Sequence, residues 1–211
     1  MYDRRNNFVL GFHGCDESVR DLLLTQPGSI KQSQKPYDWL GHGMYFWENN
    51  LARAEAWAKE KEKRGEIKKA SVLGAILSLD FCLDLIDSKY TRLLAQYYQT
   101  MKVYYKDIVR VLPQNKDLKN DNHKDKILRE SDCAVIEFMH KEIRKAITSD
   151  SGALQEIGVQ PFDSVRGLFT EGGPAFPGAG VTLKNHIQIC IRNQNCIKGF
   201  FKPRRQIRFN G

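Results

Sequence analysis

Three short segments of this 211-residue chain combine residue types that can do chemistry. The first is Phe12-His13-Gly14, at the end of an apolar run. The second is Leu40-Gly-His-Gly-Met-Tyr-Phe46, followed by a stretch bearing Ala54 and Trp57. The third is Asn185-His-Ile-Gln-Ile-Cys-Ile191, preceded by a Gly/Pro-dense stretch. A glycine such as Gly14 or Gly43 lets a backbone approach a ligand closely, because it has no Cβ. Two aromatics can hold a planar cation between them. Taken singly, each feature has a plainer reading. A histidine after a strand is commonly a hydrogen-bonded structural group. Tyr45 and Trp57 could be core aromatics, and Gly-His-Gly alone says little. His42 reads as a loop residue. The information lies in the order and spacing of all the elements together.

The elements that must position these residues can be read from periodicity. Phe8–Phe12 reads as a strand closed by His13-Gly14. A helix follows over Ser18–Thr25, with Val19, Leu22 and Leu23 on one face. Gln26–Tyr37 is polar with two prolines and reads as a loop. Gly43–Trp47 reads as a second strand. Asn49 or Asn50 is a suitable N-cap for a helix over Leu51–Arg64, which Gly65 ends. Ser71–Leu79 reads as a buried strand, extended by Phe81–Ile86. A long helix is predicted over Lys89–Leu112, an exposed loop over Pro113–Lys126, and another helix over Glu130–Thr148. Ser164–Thr170, His186–Arg192 and Ile197–Phe201 read as late strands. The order of early strands, helical middle and late strands predicts an α+β fold rather than a doubly wound sheet. No internal repeat or second core is visible, so the chain reads as a single domain.

Composition narrows the class. Apolar residues make up 41% and charged residues 27%, which argues against wholesale disorder. The net charge is +8, from 33 basic against 25 acidic residues. From Arg192 onward come Arg192, Lys198, Lys202, Arg204, Arg205 and Arg208, with no acidic residue. Such a tract suits a polyanion, or is simply a solvated surface. Interleaved Phe200, Phe201 and Phe209 fit a groove for single-stranded nucleic acid, or a terminal strand's core face. Cys15, Cys82, Cys133, Cys190 and Cys196 form no CxxC pair, so neither a disulfide framework nor a zinc site is expected, and no metal is assigned. No apolar run is long enough to span a membrane. Free thiols and the absence of an apolar leader point to a cytoplasmic protein.

The motifs resemble the poly(ADP-ribose)-polymerase-like branch of the ADP-ribosyltransferase superfamily, and its bacterial mono-ADP-ribosyltransferase, toxin-like members in particular. In that branch a His-Gly pair ends the first strand. A Gly-x-Gly-aliphatic-Tyr-Phe segment follows about thirty residues later, then a helix rich in small residues with an aromatic. His13-Gly14, Gly41-His-Gly-Met-Tyr-Phe46 and Arg53-Ala-Glu-Ala-Trp57 match these in order. The resemblance implies a split antiparallel β-sheet core with flanking helices, and residues of about 88–150 as a helical insertion. It implies NAD+ as co-substrate. His13 would hydrogen-bond ribose hydroxyls, and the Gly14 backbone would clamp the nicotinamide amide. Tyr45 and Trp57 would flank the nicotinamide ring, with Gly43 and Ala54 lining the site.

The polymerising members open the late strand with glutamate, and the aligned residue here is Gln188. The catalytic set therefore reads His13, Tyr45, Gln188. Glutamine keeps a hydrogen bond but loses the charge that would oppose a developing oxocarbenium ion. The resemblance then implies single transfers of ADP-ribose, not chains. His186 lies on the same strand face, and Glu171 carries a carboxylate in the loop before it, so either could contribute. Residues 171–185 would form the acceptor-selecting loop with Phe176 near its tip, or a plain connector. The acceptor would be nucleic acid, slightly favoured, or protein. Resemblance further implies a toxin role in a toxin–antitoxin or antiphage system, with a possible neutralising antitoxin as partner. The alternatives are a NAD+ glycohydrolase, an inactive module that binds NAD+, ADP-ribose or RNA, and a basic nucleic-acid-binding domain.

Overall fold

A computed structural model describes residues 4–119, 121–150, 154 and 159–204. Arg205, Arg208 and Phe209 of the basic tract lie outside the described residues. The chain runs β1 (Arg4–Asp16), α1 (Glu17–Thr25), β2 (Met44–Glu48), α2 (Leu51–Lys63), β3 (Ala70–Asp84), α3 (Ser88–Asp107), β4 (Asn115–Lys116), β5 (Leu128–Arg129), α4 (Glu130–Ser149), β6 (Ser164–Phe169), β7 (His186–Ile191) and β8 (Ile197–Phe201). The class is α+β, with a largely antiparallel sheet and four helices among the described residues.

Six strands form the main sheet in the order β1-β2-β7-β6-β3-β8, and β1 also pairs with β3. The pairing β1–β2–β7–β6–β3–β1 therefore closes on itself. Its single parallel contact is β3–β6, over Cys82–Asp84 and Ser164–Arg166. Side chains alternate across each strand, and one alternating set meets inside the circuit. It comprises Met44 and Phe46 of β2, Leu73, Ala75, Leu77 and Leu79 of β3, and Ile189 and Ile191 of β7. Gly11 is required there, because a Cβ would stand 2.6 Å from Leu77 Cδ1. A buried ion network also joins three strands: Arg166 binds Glu48 at 2.5 and 3.1 Å and Asp84 at 3.1 Å.

Several boundaries differ from the sequence expectation. β1 does not close at His13-Gly14 but continues to Asp16, because β3 pairs with it over its whole second half. Asp16 then caps α1, accepting from Ser18 N–H at 3.0 Å. β3 runs on as one strand through Asp84, as the extension of Ser71–Leu79 by Phe81–Ile86 implied, although Asp80 within it takes φ +46°. β1 pairs with it as far as Phe81, and β6 from Cys82 onward. α3 stops at Asp107, short of Leu112, with Val109 at φ +52°. The following loop is not wholly irregular, since β4 and β5 form a two-stranded ribbon.

Helices α3 and α4 roof the outer face of the β2–β7–β6 half. A second core joins Tyr90 and Met101 of α3 with Val135, Ile136, Phe138 and Met139 of α4, over Val165, Phe169 and Cys190. Glu137 of α4 pins the sheet end, accepting from His42 N–H at 2.8 Å and pairing with Arg192. All five cysteines are free and buried. No described helix is long and apolar enough to cross a membrane.

His140 of α4 is fully buried, and its Nδ1 lies 2.8 Å from Ile136 O. Burial pushes its pKa down to about 4. The unfolded chain, with an ordinary histidine near 6.5, therefore takes up a proton that the folded chain refuses. This contribution to stability is complete above pH 6.5 and is lost as the pH falls toward 4, up to about 3 kcal/mol. Urea denaturation at pH 7 and pH 4.5 should show that loss, and His140→Gln should flatten the slope.

Candidate functional site

The β1–β2 ladder is short: only Gly11↔Glu48 and Phe12↔Trp47 are paired. Backbone groups of alternate residues point to opposite strand edges. Asn49 N–H donates to Leu10 O at 2.8 Å, and Glu17 N–H to Lys69 O at 2.9 Å. Even-numbered residues of β1 thus face β2, and odd-numbered ones face β3. A continued ladder would bring Gly14 N–H to Tyr45 O. Instead His13 Nδ1 lies 2.8 Å from that oxygen. The imidazole has taken the carbonyl that the next ladder bond would have used. The strands part there, and the N–H and C=O of Gly14 turn into the gap.

A carbonyl only accepts, so His13 Nδ1 carries the ring proton. Burial lowers the His13 pKa, with Lys61 adding a smaller push in the same direction. The ring is therefore neutral near pH 7, with Nε2 as a lone-pair acceptor. Among the described residues Nε2 has no hydrogen-bond partner. The other wall of the gap is α2. A Cβ on Gly14 would lie 2.4 Å from Ala54 O and 3.3 Å from Trp57 Cδ1. Ala54 is fully buried, so its smallness lets the helix lie against β1. Asn50 starts α2, accepting from Arg53 N–H at 3.0 Å.

Strand alternation decides which expected residues meet. Phe12, Trp47 and Gln188 are successive cross-strand partners, so they share the outer face. His13, one residue from Phe12, is on the inner face, its ring 5.9 Å from that of Phe46. His13 and Gln188 are therefore separated by the sheet, and the gap beyond Phe12 is the passage between them. Tyr45 shares the face of Gln188, but its hydroxyl is engaged with protein. It accepts from Leu40 N–H at 2.9 Å and donates to Gly41 O at 2.8 Å. Burial raises its pKa well above the ordinary phenol value. Gly43 serves packing, since a Cβ would stand 2.5 Å from Cys190 Sγ and Ile191 O, and it bridges to Ser33.

Gln188 is held by a residue that the motif reading did not include. Trp39 Nε1–H donates to Gln188 Oε1 at 2.6 Å. An indole only donates, so the amide oxygen must face Trp39, and the NH2 group is the one left to meet a ligand. Arg129 lies over the Trp39 ring at 5.1 Å and the Phe169 ring at 3.8 Å. A tryptophan among polar loop residues was the available signal for this support, but its partner is 149 positions away.

Glu171, His186 and Phe176 fall into two groups. Glu171 forms an ion pair with Arg53 of α2, and its carboxylate lies 4.0 Å from His186 Nδ1. That pairing occupies the Glu171 carboxylate. Phe176 is 63% exposed at the far end of the same loop, with Val181 and Leu183 also exposed. The loop is braced by the segment between β4 and β5: Gly172 N–H donates to Asp125 Oδ2 at 2.7 Å, and His123 packs against Gly173. Of the basic tract, Arg192 is committed to Glu137, and Phe200 packs toward the inner core. Phe201 meets Phe12 edge-on at 6.2 Å. These two rings are packing groups rather than an open stacking platform. Lys202 and Arg204 line a cavity of about 690 Å³. No cluster of three metal-ligating side chains occurs among the described residues.

Tyr45→Phe should lower stability by about 1–3 kcal/mol in urea denaturation, because Leu40 N–H and Gly41 C=O lose their shared partner. Affinity for a ligand stacked on the ring should not change, since the ring remains.

No protein-family model, curated protein or solved structure matches this chain, so the reading of this site rests on its residues and geometry.

Proposed function

We propose that the chain is a mono-ADP-ribosyltransferase that takes NAD+ as co-substrate and passes one ADP-ribose to a macromolecular acceptor. The observation that carries the reading is the parting of β1 and β2 at His13, which turns one N–H and one C=O of Gly14 toward the same gap. A primary amide such as that of nicotinamide offers the complementary acceptor and donor. Trp57 flanks the gap on α2, beside Gly14. Neutral His13 offers Nε2 as an acceptor for a ribose hydroxyl. A dinucleotide lying through the gap would reach His13 on the inner face and Gln188 on the outer one.

The chemistry breaks the bond between nicotinamide and ribose, so positive charge develops on the ribose. Gln188 presents an NH2 donor there, which cannot stabilise that charge. This favours slow single transfers over chain growth, in keeping with the motif resemblance. It also sustains a second reading, a module that binds NAD+ or ADP-ribose without turning it over. Net positive charge favours nucleic acid as the acceptor, with protein as the alternative. A toxin role and a neutralising partner extend the same resemblance. The cytoplasm is the proposed site of action.

Incubation with isotope-labelled NAD+ and cell lysate should yield labelled product and free nicotinamide, and His13→Ala should abolish both. Nuclease should remove the label if the acceptor is nucleic acid, and protease if it is protein. No NAD+ turnover by the folded chain would leave the binding module as the reading. Gln188→Glu would return a carboxylate, still held by Trp39, and should raise kcat by about 10- to 100-fold. An unchanged rate in that variant would mean that the outer-face residue lies away from the reacting carbon.

A further inference from the structure

Four side-chain nitrogens among the described residues are buried without a hydrogen-bond partner: Trp47 Nε1, Arg53 Nε, His140 Nε2 and His186 Nε2. Three of them belong to one cluster on the outer face. The Trp47 and His186 rings are 6.3 Å apart, and Arg53 Cζ lies 5.9 Å from the Trp47 ring. Trp47 and His186 are each only 5% exposed. Leaving such groups unpaired is costly, so a cluster of them points to something that binds there.

Their hydrogen inventory narrows what that is. Trp47 Nε1 and Arg53 Nε can only donate. His186 Nδ1 lies 2.8 Å from Lys184 O, so Nδ1 carries the ring proton and Nε2 is an acceptor. Two donors and one acceptor complement a hydroxyl, which has two lone pairs and one hydrogen. A carboxylate or phosphate oxygen would turn a lone pair against that of His186. An ammonium would confront two N–H donors. The cluster also adjoins the proposed reaction centre. Trp47 is the cross-strand partner of Gln188, and His186 lies two residues before it on the same face, roughly 7 Å along the strand.

We propose that Trp47, Arg53 and His186 form the acceptor subsite, that the acceptor group is a hydroxyl, and that His186 Nε2 removes its proton. This inference rests on the transferase reading. The hydroxyl oxygen forms a bond to the anomeric carbon of the nicotinamide ribose. The bond from that carbon to nicotinamide breaks, and its electron pair neutralises the pyridinium nitrogen. The proton passes to His186 and then to solvent. NAD+ and an alcohol thus give an O-linked ADP-ribose, nicotinamide and a proton. The wall of the subsite is the loop that the sequence marked for acceptor choice, since Lys184 N–H donates to Glu171 O at 3.0 Å and Lys184 O holds His186. The groups around His186 are Phe169, stacked at 5.4 Å, with Arg53, Glu171 and Arg129 as the charges. Burial, the largest influence, lowers its pKa and keeps it unprotonated near neutral pH, as a base requires.

The test is steady-state NAD+ turnover by the full chain in the presence of methanol or methylamine, with products identified by mass. The O-methyl glycoside should form in preference to the N-methyl product. Wild-type kcat should fall on acidification, along a limb below pH 6.5. His186→Gln keeps an acceptor oxygen without the basicity, so kcat should fall about 100-fold or more with KM for methanol little changed, and the acidic limb should vanish. An active wild type with no acidic limb, or with the amine preferred, would overturn the inference while leaving the transferase reading intact. A folded His186→Gln variant with wild-type kcat would do the same, and would make the cluster a structural water site. No nicotinamide release by the wild type would overturn both.

Discussion

The contact from His13 Nδ1–H to the Tyr45 carbonyl governs the rest of this molecule. A strand ladder normally continues until a turn or bulge stops it. Here one side chain stops it by competing for a single carbonyl. Two strands that would have been zipped part at that point, while β1 remains paired with β3 up to Asp16. Polar backbone at Gly14 is thereby withdrawn from the ladder in a buried setting, where an unpaired amide is costly. The close seat of α2 on Gly14 keeps that region narrow and lined by Trp57. A gap with oriented backbone groups is the physical basis for reading a ligand site here.

Helices α3 and α4 and the segment between them support the same region. They supply the apolar roof over the outer sheet face, and they carry Glu137, which ties the start of β2 to the end of β7 through His42 and Arg192. Arg129, at the entrance to α4, covers the Trp39 and Phe169 rings, and Trp39 sets the orientation of the Gln188 amide. Asp125 and His123 brace the loop that ends at His186. Gln188 and His186 are therefore oriented by residues far away in sequence. Loosening of the 113–130 segment would disturb both without touching either directly.

The outer face also explains a tension within the polar groups. Arg53 neutralises Glu171, and Gln188 turns its oxygen to Trp39. Neither therefore offers a free negative charge to a developing cation. The groups left without partners are instead nitrogens, two donating and one accepting. Their chemistry suits the holding and deprotonation of a neutral hydroxyl better than the stabilisation of a cation.

Much of the fold was legible because it is local. The strand read over His186–Arg192 is β7, the helix read over Glu130–Thr148 is α4, and of the two cap candidates Asn49 and Asn50 it is Asn50 that starts α2. The motif residues His13, Gly14, Ala54 and Trp57 were named from type and order, and the two elements that carry them, β1 and α2, pack against each other at Gly14. Burial on both faces of β7 was not legible, because a strand that alternates in sequence looks half-exposed until α3 and α4 cover its second face. Nor could spacing show that His13 and Gln188 lie on opposite faces, since that depends on the register Phe12↔Trp47↔Gln188. Sequence by itself marked the strands of the main sheet and the four described helices, though not all their ends or the β4–β5 ribbon, and which residue types could carry chemistry, since those follow from periodicity and residue type. Tertiary structure alone decided the closed strand circuit, the parting of β1 from β2 and the partners of Gln188, Glu171 and His186, because each depends on contacts between residues far apart in the chain.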